Sequence, residues 1–202
     1  TGCPSNGGVY NNEKQLLIGG KLFKQRVDNN QFDGFLLYPQ VIPPDSTCWG
    51  SWGANASVYY NTIVAVLDSM AKYARADMDR VVPFGLSAGG SAAWRIAEFF
   101  PQHVAAIAPS AAAGIKMNYS KFVHIPVWLA TGGKDTNPSP AAAQYSVNQV
   151  NALGGYIRYT PYPDLGHAVW VQHWLEADFI PFMNQSHKAN PHVFFQRDEF
   201  CP

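Results

Sequence analysis

Two short runs, Ala105-Ala106-Ile107-Ala108 and Val127-Trp128-Leu129-Ala130, are apolar at every position, and they constrain this chain most. Successive side chains of a strand face opposite sides, so a strand wet on one face alternates apolar with polar residues. Runs without that alternation belong to strands covered on both faces, the mark of a parallel sheet between helices. Helical periods separate the strand-like runs. Phe32 to Pro39 reads as a strand ended by Pro39 and the turn-rich Pro43-Pro44-Asp45. Val58 to Arg75 reads as a helix, because Val58, Ile63, Val66, Leu67, Met70 and Tyr73 recur near the 3.6-residue period and Ser57 can cap it. Arg80 to Gly85 is the next expected strand and Ala88 to Phe100 the next helix, stopped by Pro101. A helix from Pro140 to Leu153 stops at Gly154-Gly155, Tyr156 to Thr160 makes a last strand, and Ala168 to Asn184 a last long helix. Strand–helix alternation of this kind predicts an α/β domain with a mostly parallel sheet flanked by helices. Residues 1–202 are read as one catalytic domain, the C-terminal part of a larger fold, because the opening Thr1-Gly2-Cys3-Pro4 loop has no strand before it.

Composition removes several classes of function. Charged residues are 14% of the chain, against about 25% in an average globular protein, and hydrophobic residues are 47%. That balance supports a sizeable core and excludes a disordered chain. Lys plus Arg number 14, as do Asp plus Glu, and no basic run stands out, which argues against nucleic acid as a partner. No apolar stretch approaches the roughly 18 residues of a membrane span. Low charge, few lysines and many Asn and Trp residues point to a secreted protein, extracellular or periplasmic. Cys3, Cys48 and Cys201 allow one internal disulfide, their pairing left open, and their spacings match no zinc pattern.

The chemistry gathers around Gly85-Leu86-Ser87-Ala88-Gly89-Gly90. It fits G-x-S-x-G and sits between an apolar strand and a helix, where a sharp turn can expose a serine hydroxyl at the sheet's C-terminal edge. Small residues two positions either side of Ser87 keep such a turn free of clashes. A serine needs a base to remove its proton, and the chain has six histidines. Of these, His167 follows the last strand directly, and Gly166 is expected to let its loop turn tightly. The acid that orients the histidine should close the preceding strand, where Asp135 stands in a glycine-rich loop. Asp164, three residues before His167, is the poorly placed rival. An oxyanion hole, worth about 3–4 kcal/mol per donor in one protease, would take the N–H of Ala88 and, from the Thr1–Pro4 loop, that of Cys3, since Pro4 has none. Cys48-Trp49-Gly50-Ser51-Trp52 should lie on the same rim, with Trp49 as a wall for the substrate. Trp170 is expected to brace the His167 loop and Trp94 to be core.

The elbow with its flank Asp77-Met78-Asp79-Arg80-Val81, together with Leu37-Tyr38-Pro39-Gln40, Trp49 and Gly166-His167 with Trp170, resembles the α/β-hydrolase superfamily. Within it the chain is similar to secreted esterases related to polyhydroxybutyrate depolymerases and to family-one carbohydrate esterases. The resemblance implies Ser87, Asp135 and His167 as a triad, no metal or organic cofactor, and a small-molecule or polymer-linked ester as substrate. The common His-Gly of the oxyanion loop stands here as Thr1-Gly2, and the early strands of that fold are absent from this sequence. The runner-up is a peptidase resembling the prolyl-oligopeptidase group. A non-catalytic hydrolase-fold module that binds carbohydrate or protein is a third reading, weighed against by the survival of all three triad residues.

Overall fold

The structure, a computed structural model, describes residues 20–39 and 56–191, apart from the side chains of 56–59. A four-stranded parallel sheet is built in sequence order from β1 (Phe84–Leu86), β2 (Ala108–Ser110), β3 (Val127–Gly132) and β4 (Ile157–Tyr162). Leu86 pairs with Ser110, Ser110 with Ala130, and Ala130 with Thr160, so the C-terminal ends of all four strands form one rim. Pairing of the first two strands begins earlier than the formal strand, through Ala105 N–H to Val81 O at 2.8 Å.

Residues of β3 alternate between two cores, as a strand buried on both faces requires. Val127 and Leu129 join Trp94, Ile107, Phe122 and Val150 on one face, with helices α3 (Ala88–Phe99) and α4 (Pro140–Ala152). Trp128 turns to the other, against Phe23 of α1 (Lys21–Asp28), Trp174 of α5 (Trp170–Leu175) and Phe179 and Phe182 of α6 (Phe179–Gln185). Trp128, Leu129 and Phe179 are fully buried, each contributing about 1.5–3 kcal/mol by area removed from water. Helix α2 (Ala56–Ala74) packs Tyr60 and Ile63 on Ala92 of α3. Among the described residues no helix is long and apolar enough to cross a membrane.

Two expected elements come out differently. Residues 32–39 form no strand: Phe32 and Leu36 pack on the core beside Phe23, while Phe35 is 59% exposed. A strand needs a partner's ladder, and β1 pairs only with β2 among the described residues. The expected helix from Ala168 to Asn184 is two helices broken at 176–178. Pro181 explains the break. A continuous helix would need its missing N–H and would drive its ring into the carbonyl four residues earlier. In the first turn of α6 its N–H has no partner to lose. Helix α4 ends as expected, with Gly154 and Gly155 donating to Asn151 O and Val150 O, both at 2.9 Å.

His173 of α5 is fully buried, its ring edge-on to those of Trp128 and Phe179. Burial, with Arg158 nearby, pushes its imidazole down to about 3. In the unfolded chain the same ring takes up a proton near pH 6.5. The unfolded state therefore binds more protons below that pH, and stability falls as pH drops from 6.5 towards 3. Between pH 7 and 5 this group alone should remove about 2 kcal/mol, and His173→Asn should lack that part of the slope. Urea unfolding of both chains at the two pH values measures it.

Candidate active site

The turn from β1 into α3 carries Ser87 at φ 52 and ψ −121, a left-handed backbone that costs a non-glycine residue about 1–3 kcal/mol. Hydrogen bonds on both sides hold it there: Ser87 N–H to Ser110 O at 2.9 Å, and Ser91 N–H to Ser87 O at 3.0 Å. The neighbouring glycines are required by close approach. A Cβ on Gly85 would lie 2.6 Å from the Gly89 carbonyl carbon, and one on Gly90 would lie 2.7 Å from Ala112 Cβ. The G-x-S-x-G-G spacing is thus the packing condition for bringing α3 back over the strand that feeds it. Ala88 is the first residue of α3, so its N–H has no acceptor within the helix and lies at the positive end of the helix dipole.

Asp135 follows β3 in the Gly132-Gly133-Lys134 turn. Its side chain is 3% exposed; Oδ1 accepts the Asn137 N–H at 2.9 Å, and Oδ2 lies 2.8 Å from Nδ1 of His167. His167 sits on the loop after β4, and its Nε2 is 2.9 Å from Ser87 Oγ. An ionised carboxylate only accepts hydrogen bonds, so Nδ1 carries the proton and Nε2 turns its lone pair to the serine hydroxyl. The imidazole is 41% exposed, open to substrate and water. Trp170, at the start of α5, stands edge-on to it with 5.9 Å between ring centres.

Two backbone bonds tie the Asp135 loop to the His167 loop: Gly133 N–H to Tyr162 O at 2.8 Å, and Lys134 N–H to Leu165 O at 2.9 Å. The loops touch where the one after β3 has no room for a side chain. A Cβ on Gly132 would lie 2.1 Å from Gly166 O, and one on Gly133 would lie 2.5 Å from Pro163 O. The small-residue requirement therefore falls on Gly132 and Gly133, not on Gly166, where a Cβ would meet nothing within 4 Å.

Chain order and topology bring Ser87, Asp135 and His167 together from three separate loops on one rim. Asp164 stays outside, with a side chain 94% exposed and 3.4 Å from Lys134 Nζ. Cys3 and Trp49 lie outside the described residues, as do Cys48 and Cys201. Trp94 is core, 1% exposed, its indole N–H donating to Ala112 O at 3.2 Å. A cavity of about 610 Å³ runs between residues 32–39, α2 and the side of β1 away from β2. Neither Ser87 nor His167 lines it, so it is not the space in front of the hydroxyl. Asp77, Asp79 and His187 cluster on the surface, but their carboxylates already pair with Arg80 at 3.0 Å and Lys188 at 2.9 Å. The sequence reading missed a second Ser–His contact, Ser110 Oγ to His173 Nδ1 at 2.7 Å. Nothing local marks it, since a histidine on an apolar helix face reads as packing.

No protein-family model and no curated protein matches the sequence. Solved structures do match. A thermostable esterase is similar over 62% of this chain, at 23% identity and a TM-score of 0.55. Arabidopsis thaliana SOBER1 is similar over 64%, at 18% identity and a TM-score of 0.53, and Pyrococcus horikoshii acylaminoacyl peptidase over 64%, at 11% and 0.51. The chain spans 36%, 64% and 28% of those three proteins respectively. The shared architecture is the α/β-hydrolase fold, with the parallel sheet and flanking helices expected from the sequence.

Gly132→Ala should lose about 1–3 kcal/mol in chemical unfolding, the usual cost of forcing atoms into a packed site. Gly166→Ala should stay within about 1 kcal/mol of the parent.

Proposed function

We propose that this chain is a serine carboxylic ester hydrolase acting through Ser87, His167 and Asp135. The observation that carries the reading is the unbroken line from serine hydroxyl to imidazole to buried carboxylate, at 2.9 and 2.8 Å. As substrate approaches, His167 Nε2 takes the Ser87 proton and Oγ attacks the ester carbonyl. Asp135 holds the ring in the tautomer that can accept and stabilises the imidazolium that forms. The Ala88 N–H is one donor for the tetrahedral oxyanion, and the Cys3 N–H is assigned as the second on sequence alone. Collapse of the intermediate passes the proton from His167 to the leaving alkoxide. The acyl group stays on Ser87 until water, activated by the same imidazole, releases it.

The half-exposed His167 ring supports an open site for short-chain esters or ester groups on a polysaccharide. The narrower assignment, to esterases like polyhydroxybutyrate depolymerases or family-one carbohydrate esterases, rests on the motifs around Ser87 and His167, with Trp49 as a substrate wall. Export to the cell exterior or periplasm is inferred from composition. The triad order is equally suited to amide substrates, and the shared fold of the acylaminoacyl peptidase keeps a peptidase as the second reading.

Ser87→Ala should lower turnover of a short p-nitrophenyl ester by at least about a thousandfold, and Asp135→Asn by roughly 10³–10⁴-fold through loss of the correct tautomer. Asp164→Asn, which touches only an exposed ion pair, should leave turnover within about twofold. Equal losses from the two aspartate changes would sink the assignment of Asp135. Aminoacyl amides run in parallel separate esterase from peptidase. A fluorophosphonate that adds no mass to folded chain would favour a binding module instead.

A further inference from the structure

The contact between Ser110 and His173 lies directly behind the nucleophile, in a place the proposed chemistry does not use. Ser110 ends β2, is fully buried, and pairs in register with Leu86 on one side and Ala130 on the other. Its carbonyl accepts the Ser87 N–H at 2.9 Å. The same carbonyl bounds the seat of α3, since a Cβ on Gly90 would lie 3.0 Å from it. Immediately after it the backbone turns left-handed at Ala111, φ 49, whose N–H donates to Ala130 O at 2.8 Å. Residues 110–111 are thus a kinked strand end against which the strained elbow rests.

Besides its backbone pairing, that strand end is tied by the side chain of Ser110, bonded at 2.7 Å to Nδ1 of His173. His173 Nε2 has no hydrogen-bond partner among the described residues. An unpartnered lone pair costs less than an unpartnered N–H, so the neutral ring carries its proton on Nδ1 and donates it to Ser110 Oγ. His173 sits on α5 one turn after Trp170, the residue edge-on to His167. One short helix therefore reaches both halves of the site, the imidazole through Trp170 and the nucleophile's support through His173.

We propose that His173 and Ser110 are a positioning couple, which fixes the Ser87 elbow relative to His167 by tying the end of β2 to helix α5. The proposal rests on the serine-hydrolase reading above. Leucine and alanine would fill the two places with no buried polar atoms. A buried imidazole with one nitrogen unpartnered is a costly way to pack a core, and its return is a directional bond behind the serine. Loss of that bond lets the elbow shift by fractions of an ångström. Such a shift spoils attack geometry and leaves substrate binding, made in front of the serine, unaltered.

Two nearly isosteric substitutions separate positioning from packing. His173→Leu removes the hydrogen bond; His173→Asn leaves a similar cavity but keeps a polar group close to the place of Nδ1. In burst kinetics with p-nitrophenyl acetate, His173→Leu should slow acylation about tenfold with the substrate dissociation constant from the burst-rate saturation curve within about twofold, and His173→Asn should recover to within about threefold of the parent. Ser110→Ala should match His173→Leu, and the double variant should be no slower than either single one. Equal acylation rates for Leu and Asn, whether both slow or both parental, overturn the proposal. If His173→Leu fails to fold, Ser110→Ala decides, a parental acylation rate counting against the couple. Ser87→Ala in the same assay tests the underlying reading separately: a burst that survives it discards the hydrolase, not just the couple.

Discussion

The hydrogen bond from the Ser87 amide to the Ser110 carbonyl is the constraint on which the rest of the rim depends. A non-glycine residue at φ 52 relaxes unless its surroundings over-determine it. Here the restraint comes from the neighbouring strand on one side and the first turn of α3 on the other. Parallel pairing makes this possible. Leu86 and Ser110 lie in register, so β2 ends level with the point where β1 must turn. A slip in that register would leave the Ser87 N–H without its acceptor and the elbow without its support.

Asp135 and His167 reach the same rim by a different device. Asp135 and His167 occupy loops that leave adjacent strands, β3 and β4, and those loops are pressed together until their backbones bond directly. Glycine at 132 and 133 permits the contact, and the Gly133–Tyr162 and Lys134–Leu165 bonds make it specific. The short Nδ1–Oδ2 distance follows from the backbone contact beneath it. Precision at the side chains is inherited from loops that cannot move apart without losing main-chain hydrogen bonds.

What could be read in the sequence was whatever is local or ordered along the chain. The elbow is a six-residue pattern between a strand and a helix, so the sharp turn at Ser87 is legible from neighbours alone. His167 and Asp135 needed only chain order and the ends of strands, and Asp164 failed on the same ground. The strand expected over 32–39 was not legible, because a ladder depends on a partner far away in sequence. The break before α6 is legible, since a proline inside a helical run ends or kinks it. The Ser110–His173 contact was invisible for the same reason as the ladder: its members are 63 residues apart, and each alone looks like packing. The close approach of Gly132 and Gly133 to the His167 loop is likewise not written locally, because it depends on atoms about 30 residues away, whereas Gly166, adjacent to His167, has open space around it.

Burial is distributed along the Ser87–His167–Asp135 line in a way that matches its proposed chemistry. Asp135 is almost completely enclosed, where a carboxylate's field on the imidazole is least screened by water and its two oxygens have fixed partners. In that proposed chemistry His167 would shuttle a proton among serine, leaving group and water, and it is the exposed member. Full enclosure would strengthen its bond to Asp135 but close the route by which water reaches the acyl group. Full exposure of the aspartate would surrender the orientation that makes Nε2 the accepting nitrogen. A buried anchor holding an open base is the arrangement that satisfies both demands, and the paired loops after β3 and β4 are what allow the two environments to lie 2.8 Å apart.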